Sequence, residues 1–213
     1  MLMAHKHPKR RAAWLRNPER TRERLLQAAF REVYRSEFQS ASLNTILAAA
    51  GVSKGALYFD RKEALGYALV EEVIAPDLRG NWLRPLESGQ DPMDTLIGIV
   101  QGESVRPEDV RSGCRLNNLA QEVSPLDEGF RERLATVFHE WQQGIASALR
   151  KRQTHGTVRP EVERAETAGF LMAMVEGYVS LAKNAQGVKV AKTGKKNTVA
   201  GCGPGAPGNR KRG

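Results

Sequence analysis

Apolar positions along this chain recur at three- and four-residue intervals, and strand-like runs of Val, Ile and Thr are absent. Leu25, Leu26, Ala29, Phe30, Val33 and Tyr34 form one such stripe. Asn17-Pro18 ahead of it supplies a cap and a proline at the first helical position, so a first helix is expected from Pro18 to near Ser36. Ser42 can cap a second helix with Leu43, Ile46, Leu47 and Ala50 inward, and Gly51 suits the left-handed position that ends it. Ser53 caps a third, Lys54 to about Tyr58. A fourth, from Lys62, carries Leu65, Leu69, Val73 and Ile74, and Pro76 is expected to stop it after Ala75.

Gly, Pro and acids break up 79–112, where one helix is expected from Pro92 to about Gly102. A short helix, Gly113 to Glu122, follows. Ser124-Pro125 opens a long one to about Gln153, with Leu126, Phe130, Leu134, Val137, Phe138, Trp141, Ile145 and Leu149 on its apolar side. Pro160 opens the last, to about Gln186, rich in Phe170, Leu171, Met172, Met174, Val175, Tyr178 and Leu181. The expected fold is all-α.

Length and charge refine this picture. The 213 residues suffice for a real core, and 40% of them are apolar. The net charge of +9 is concentrated at the ends: +6 in residues 1–24 and +7 in 189–213, which leaves −4 between. A slightly acidic body with basic ends suits contact with a polyanion, although solvated tails would look the same. After Gly187 the chain turns Gly/Pro/Lys-rich and is expected to be disordered, as is the basic arm 1–16. Cys114 and Cys202 stand far apart in no metal-like spacing, and no apolar stretch follows the basic N-terminus, so a cytoplasmic protein without membrane contact is expected.

The chemistry sits in Ser42–Leu65, SLNTILAAAGVSKGALYFDRKEAL. Helix, tight turn and second short helix are the outline of a helix-turn-helix, which lays a helix in the DNA major groove. Small residues Ala49, Ala50 and Gly51 let the two helices cross closely, and Ile46, Val52 and Leu57 are placed to lock them. Backbone N–H groups at the Ser42 and Ser53 helix starts suit phosphate oxygens, Thr45 stands one turn beyond Ser42, and Lys54 and Lys62 add charge. Gly55 permits close approach to DNA. A plain helical hairpin is the alternative reading of the same residues. No nucleophile elbow, metal-ligand set, phosphate loop or paired-carboxylate motif occurs, so no enzyme, cofactor or metal is expected.

Arg22–Leu65 resembles the N-terminal domain of the TetR/AcrR family of transcriptional regulators. The likeness lies in TRERLLQAA (21–29), the S-L-x-x-I-L-x-x-A-G-V-S-K-G-A-L-Y run of 42–58 and KEAL (62–65), and more loosely in GCRLNNLAQE (113–122), SPLDEGF (124–130) and LAKNAQ (181–186). It implies an N-terminal helix-turn-helix domain on a helical C-terminal body that binds a small effector and dimerises through its last two long helices. Ser42 and Tyr58 would then touch phosphates, Ser53, Lys54, Gly55 and Ala56 would face the groove, and Lys62 would meet the DNA backbone. Tyr58 and Phe59 are adjacent, where the family usually has two residues more. In a continuous helix that is worth about 200° of rotation and 3 Å of rise, so the third helix ends early or the fourth is re-aimed.

The expected organisation is an arm (1–16), a DNA-binding domain (17–66), an effector-binding and dimerisation domain (67–187) and a tail (188–213). The expected function is a ligand-responsive repressor that binds double-stranded DNA at a near-palindromic operator as a homodimer. A basic helical scaffold without sequence-specific DNA binding is the alternative. Trp82, Cys114, Trp141, Met174 and Tyr178 are candidates to line the effector pocket, and the same residue types equally suit core or dimer packing. Cys114, beside Arg115 at a helix start, is also a candidate thiol sensor.

Overall fold

A computed structural model describes residues 18–53, 59, 61–88 and 111–186. Among the described residues every regular element is a helix. We number them α1 (Pro18–Ser36), α2 (Leu43–Ala50), α3 (Lys62–Leu69), α4 (Ala75–Leu78), α5 (Arg84–Ser88), α6 (Arg115–Val123), α7 (Glu128–Thr154) and α8 (Arg164–Ala185). The expected helix at Pro92–Gly102, the arm and the tail lie outside the described residues.

Pro76 does not end the fourth helix. From Lys62 to Ser88 the chain stays helical, with π-helical segments at Val70–Ile74 and Arg79–Leu83. The N–H of Ala75 reaches back five residues to the Val70 carbonyl. This wider turn gives the proline ring room against the preceding carbonyls, and the missing proline donor is absorbed there. Pro85 stands in the same place after the second π segment, two residues beyond its end.

The chain forms two compact units. The first holds 18–78 and 115–138 of the described residues. Its core joins Leu25, Leu26, Ala28 and Ala29 of α1 to Ile46, Leu47 and Ala50 of α2, with Val52, Phe59, Leu65 and Ala68. A second apolar patch is aromatic: Phe130 meets Phe38 and Tyr67 edge-on, at 4.8 and 4.9 Å between ring centroids.

Three arginines tie this unit together in one manner, each laying its guanidinium across an aromatic ring while gripping a carboxylate. Arg22 covers Phe59 and binds Glu72 through two nitrogens. Arg133 covers Tyr67 and holds Glu71. Arg115 lies over Phe30 and Tyr34 and holds Asp77. Planar, weakly hydrated guanidinium suits both contacts at once.

The start of α7 differs from expectation. Ser124-Pro125 lie in a turn, and Asp127 caps the helix by accepting the Phe130 N–H at 2.8 Å. An aspartate three residues ahead of a buried aromatic outcompetes Ser-Pro because its carboxylate reaches the free N–H directly. Leu126, in that turn, is 68% exposed and not part of the apolar face. The Asp127 carboxylate also accepts the Tyr67 hydroxyl.

The second unit holds 79–88, 111–114 and 139–186 of the described residues. Trp82 meets Trp141 edge-on at 4.7 Å, Arg79 forms a two-point bridge to Glu140, and a Cβ on Gly144 would overlap Leu83. The final helix begins at Arg164, later than Pro160. In the intervening turn the Gln153 amide donates to the carbonyls of Arg159, Pro160 and Val162.

Acid should weaken the fold. The Phe130 N–H and then the Tyr67 hydroxyl hold Asp127 below its ordinary value, Arg35 does so for Glu32, and Arg79 for Glu140. Each carboxylate therefore binds its proton more weakly folded than unfolded. The stability it contributes is complete above an ordinary carboxylate pKa of about 4 and is lost as pH falls through the lower folded value. Urea midpoints should hold from pH 7 to 5 and drop by pH 3; a flat profile would contradict the assignment.

Candidate DNA-binding surface

The reading head is built by local rules. Ser42 adopts an extended conformation and its hydroxyl accepts the Thr45 N–H at 3.3 Å, which starts α2. Gly51 ends it at φ 62°, ψ 36°. Its N–H donates to the Ala48 carbonyl and the Val52 N–H to that of Leu47, a pair of bonds that only a left-handed residue between them permits. Leu47 and Val52 both lie in the core, so the turn is sealed from inside. The Arg24 guanidinium donates to the Ala50 carbonyl, adding a cation where the helix end is negative.

These constraints turn one face of α2 outward. Asn44, Thr45, Ala48 and Ala49 are exposed, Ser42 is half-buried, and Ser53 is exposed just past the turn. Lys54, Gly55, Ala56 and Tyr58 lie outside the described residues, as does Leu57. Phe59 returns the chain to the core, 7% exposed beneath Arg22. Lys62 is turned toward the protein: its amine donates to the Gln39 carbonyl at 2.9 Å and lies 5.0 Å from the centre of the Phe38 ring. Ser42, Thr45 and Ser53 thus share the neighbourhood of the α2 ends, while Lys62 braces the α1–α2 turn.

The effector candidates fall into separate groups. Trp82 and Trp141 are in contact, and Trp141 is 1% exposed. Met174 and Tyr178, four residues apart on α8, are half-buried. Cys114 is a half-buried thiol immediately before α6. Among the described residues, no cluster of His, Cys, Asp or Glu could hold a metal, and no helix is long and apolar enough to cross a membrane.

The family model for the tetracyclin repressor-like C-terminal domain matches residues 100–193. The HTH-type transcriptional repressor DhaR of Mycobacterium sp. (strain GP1) is 25% identical over 167 residues, covering 74% of this chain and 80% of that protein. The chain is similar to TetR-family regulators over most of its length. It is a DNA-binding transcriptional regulator. The transcriptional regulator AcuR of Cereibacter sphaeroides is 28% identical over 163 residues, covering 75% of this chain and 74% of AcuR. A solved TetR regulator from Chloroflexus aurantiacus J-10-FL superposes with a TM-score of 0.76 at 26% identity, covering 86% of this chain and 94% of that one. The TetR all-α architecture, with its N-terminal helix-turn-helix, is therefore the fold of this protein.

Two features of this chain had little signal in its sequence. Arg24, which caps α2, reads as one of many surface arginines. Glu122, which reaches the α1–α2 turn, lies 84 residues from its partner Phe38. Only the LAQE motif marked it, without saying for what.

Proposed function

We propose that this TetR regulator is a ligand-responsive repressor that binds a near-palindromic operator as a homodimer. The reading is carried by α2, whose capped start and sealed Gly51 turn present Thr45 and Ser53 outward on a closed apolar core. Residues 17–66 act as the DNA-reading domain in this proposal and 67–187 as the effector and dimer body. Ser42, Thr45 and Tyr58 contact phosphates, Ser53 to Ala56 face the groove, and the Lys62 ammonium, which keeps donors beyond its one bond to the Gln39 carbonyl, meets the DNA backbone. DhaR, named a transcriptional repressor, supports the direction of control.

The dimer is supported by α8. Phe170 and Leu181 are 67% and 56% exposed, and with half-buried Met174 and Tyr178 they follow helical spacing along one stripe. An apolar stripe of that length calls for a partner. Met174 and Tyr178 thereby fit a dimer seam better than a pocket wall, which leaves Trp82, Trp141 and Cys114 as the effector candidates. A two-fold dimer sets its heads about 34–36 Å apart, one DNA turn.

A duplex selected from a random pool by the full chain tests this by fluorescence anisotropy, against a scrambled duplex of equal length. The selected site should show two-fold symmetry and bind at least 10³ times more tightly than the scrambled one, within the usual specificity range. Lys54→Ala should lose roughly tenfold in affinity for the selected duplex, as expected for one charged contact. Equal binding of both duplexes, or a monomer in light scattering, would overturn the proposal.

A further inference from the structure

Side chains of α3, α6 and α7 converge on the turn that joins the first two helices of the reading head. The turn runs through Glu37, held at φ 69°, to Ala41. The Glu122 carboxylate of α6 accepts the Phe38 N–H at 2.8 Å on one oxygen and the Gln39 N–H at 2.6 Å on the other. The Lys62 amine takes the Gln39 carbonyl. Phe38 itself is buried, edge-on against Phe130 of α7.

Neither N–H belongs to a helix. Without Glu122 both would need water at a turn whose side chain is committed inward. A carboxylate receiving two consecutive backbone donors is a stronger and more directional tether than a neutral acceptor. The bond pair also fixes orientation: two donors on two oxygens leave the turn little freedom to rotate about either bond. The α1–α2 turn sets how α2 is carried relative to α1, and so where Thr45 and the Gly51 turn stand.

We propose that Glu122 is a positioning residue for DNA reading, holding the α1–α2 turn so that α2 meets the operator in register. The Gly113–Glu122 motif thereby acquires a purpose, ending in the carboxylate that grips the head. The inference rests on the operator-reading role proposed above, and it makes α6 the element whose shift would reach the head directly.

The glutamine variant separates positioning from simple support. Glu122→Gln keeps the shape but offers one acceptor oxygen, so one N–H faces an amide donor. Binding to unrelated DNA depends on charge and hardly on registered geometry, whereas operator binding needs both. The full-length protein is measured against its pool-selected duplex and a scrambled duplex at a temperature where the denaturation curve shows it folded. Glu128→Gln, the same charge change at an exposed site on α7, is the control. Glu122→Gln should lower the ratio of selected to scrambled affinity by about tenfold, the scale of one lost charge-assisted bond. Glu128→Gln should leave that ratio unchanged. If Glu122→Gln does not fold, Glu122→Asp, which keeps the charge on a shorter arm, decides by the same ratio. A parental ratio in the variant that folds would overturn the proposal, whatever happens to its denaturation midpoint. If the parent itself fails to discriminate the two duplexes, the operator-reading role falls first.

Discussion

Phe130→Ala should destabilise the protein by about 3–5 kcal/mol, the range for deleting a buried phenylalanine ring from a packed site. Phe130 is 1% exposed, and its ring fills the space between Phe38 and Tyr67 with edge-on contacts to both. The site has little means of collapse. The Tyr67 ring is tied to Asp127 through its hydroxyl and cannot swing inward without breaking that bond, and Glu122 pins the backbone that carries Phe38. Chemical denaturation checks the value, and a loss under 1 kcal/mol would mean that the surrounding rings close the gap after all. Phe130→Leu should recover much of the loss, because it restores most of the apolar volume.

Gly66→Ala attacks the same joint from the opposite side. Gly66 is helical with ordinary dihedrals, and alanine would ordinarily favour that helix by about 1 kcal/mol. Here a Cβ would overlap Phe130 Cζ and lie 2.6 Å from Phe38 Cε2. Both neighbours are rings held in place, so the strain of overpacking, about 1–3 kcal/mol, should outweigh the propensity gain. The decisive measurement is the double variant. Once Phe130 is alanine, its overlap with the methyl is gone and the Phe38 ring gains space to give way, so Gly66→Ala should cost clearly less in that background than in the parent. Additive losses would show that Gly66 and Phe130 do not act on one another.

Where the chain carries its own local punctuation, the sequence was readable to the residue. Pro18 begins α1 and Ser36 ends it, Ser42 caps α2, and Gly51 stops it in the left-handed conformation. Those signals act within four residues and need no tertiary help. Local signals mislead where tertiary packing chooses between local options. Pro76 reads as a terminator, yet a π-helical widening carried the helix past it. Ser124-Pro125 reads as a helix start, yet Asp127 took the cap because its carboxylate serves both Phe130 and Tyr67. Pro160 opened a turn gathered by Gln153, and α8 waited until Arg164.

The candidate site shows the same division. Ser42 caps α2 as its place ahead of that helix implied, because caps and turns are short-range features, and Ser53 lies exposed just past the Gly51 turn. Lys62 reads from sequence as a free cation for phosphate, and only the folded chain reveals its bond to Gln39. Glu122 could not be attached to the head by any pattern, since nothing periodic links it to Phe38.

The three arginine–aromatic–carboxylate contacts also bear on how this regulator responds to ions in its surroundings. Salt screens charge, but it leaves stacking and apolar burial largely intact. A head joined to its supporting helices by lysine–glutamate pairs alone would loosen as ionic strength rose, and its DNA affinity would fall for two mixed reasons. In this unit Arg22, Arg115 and Arg133 keep their ring contacts when the charge component fades. The slope of log affinity against log salt is then a count of cations displaced from the duplex, uncontaminated by changes in the protein's own shape.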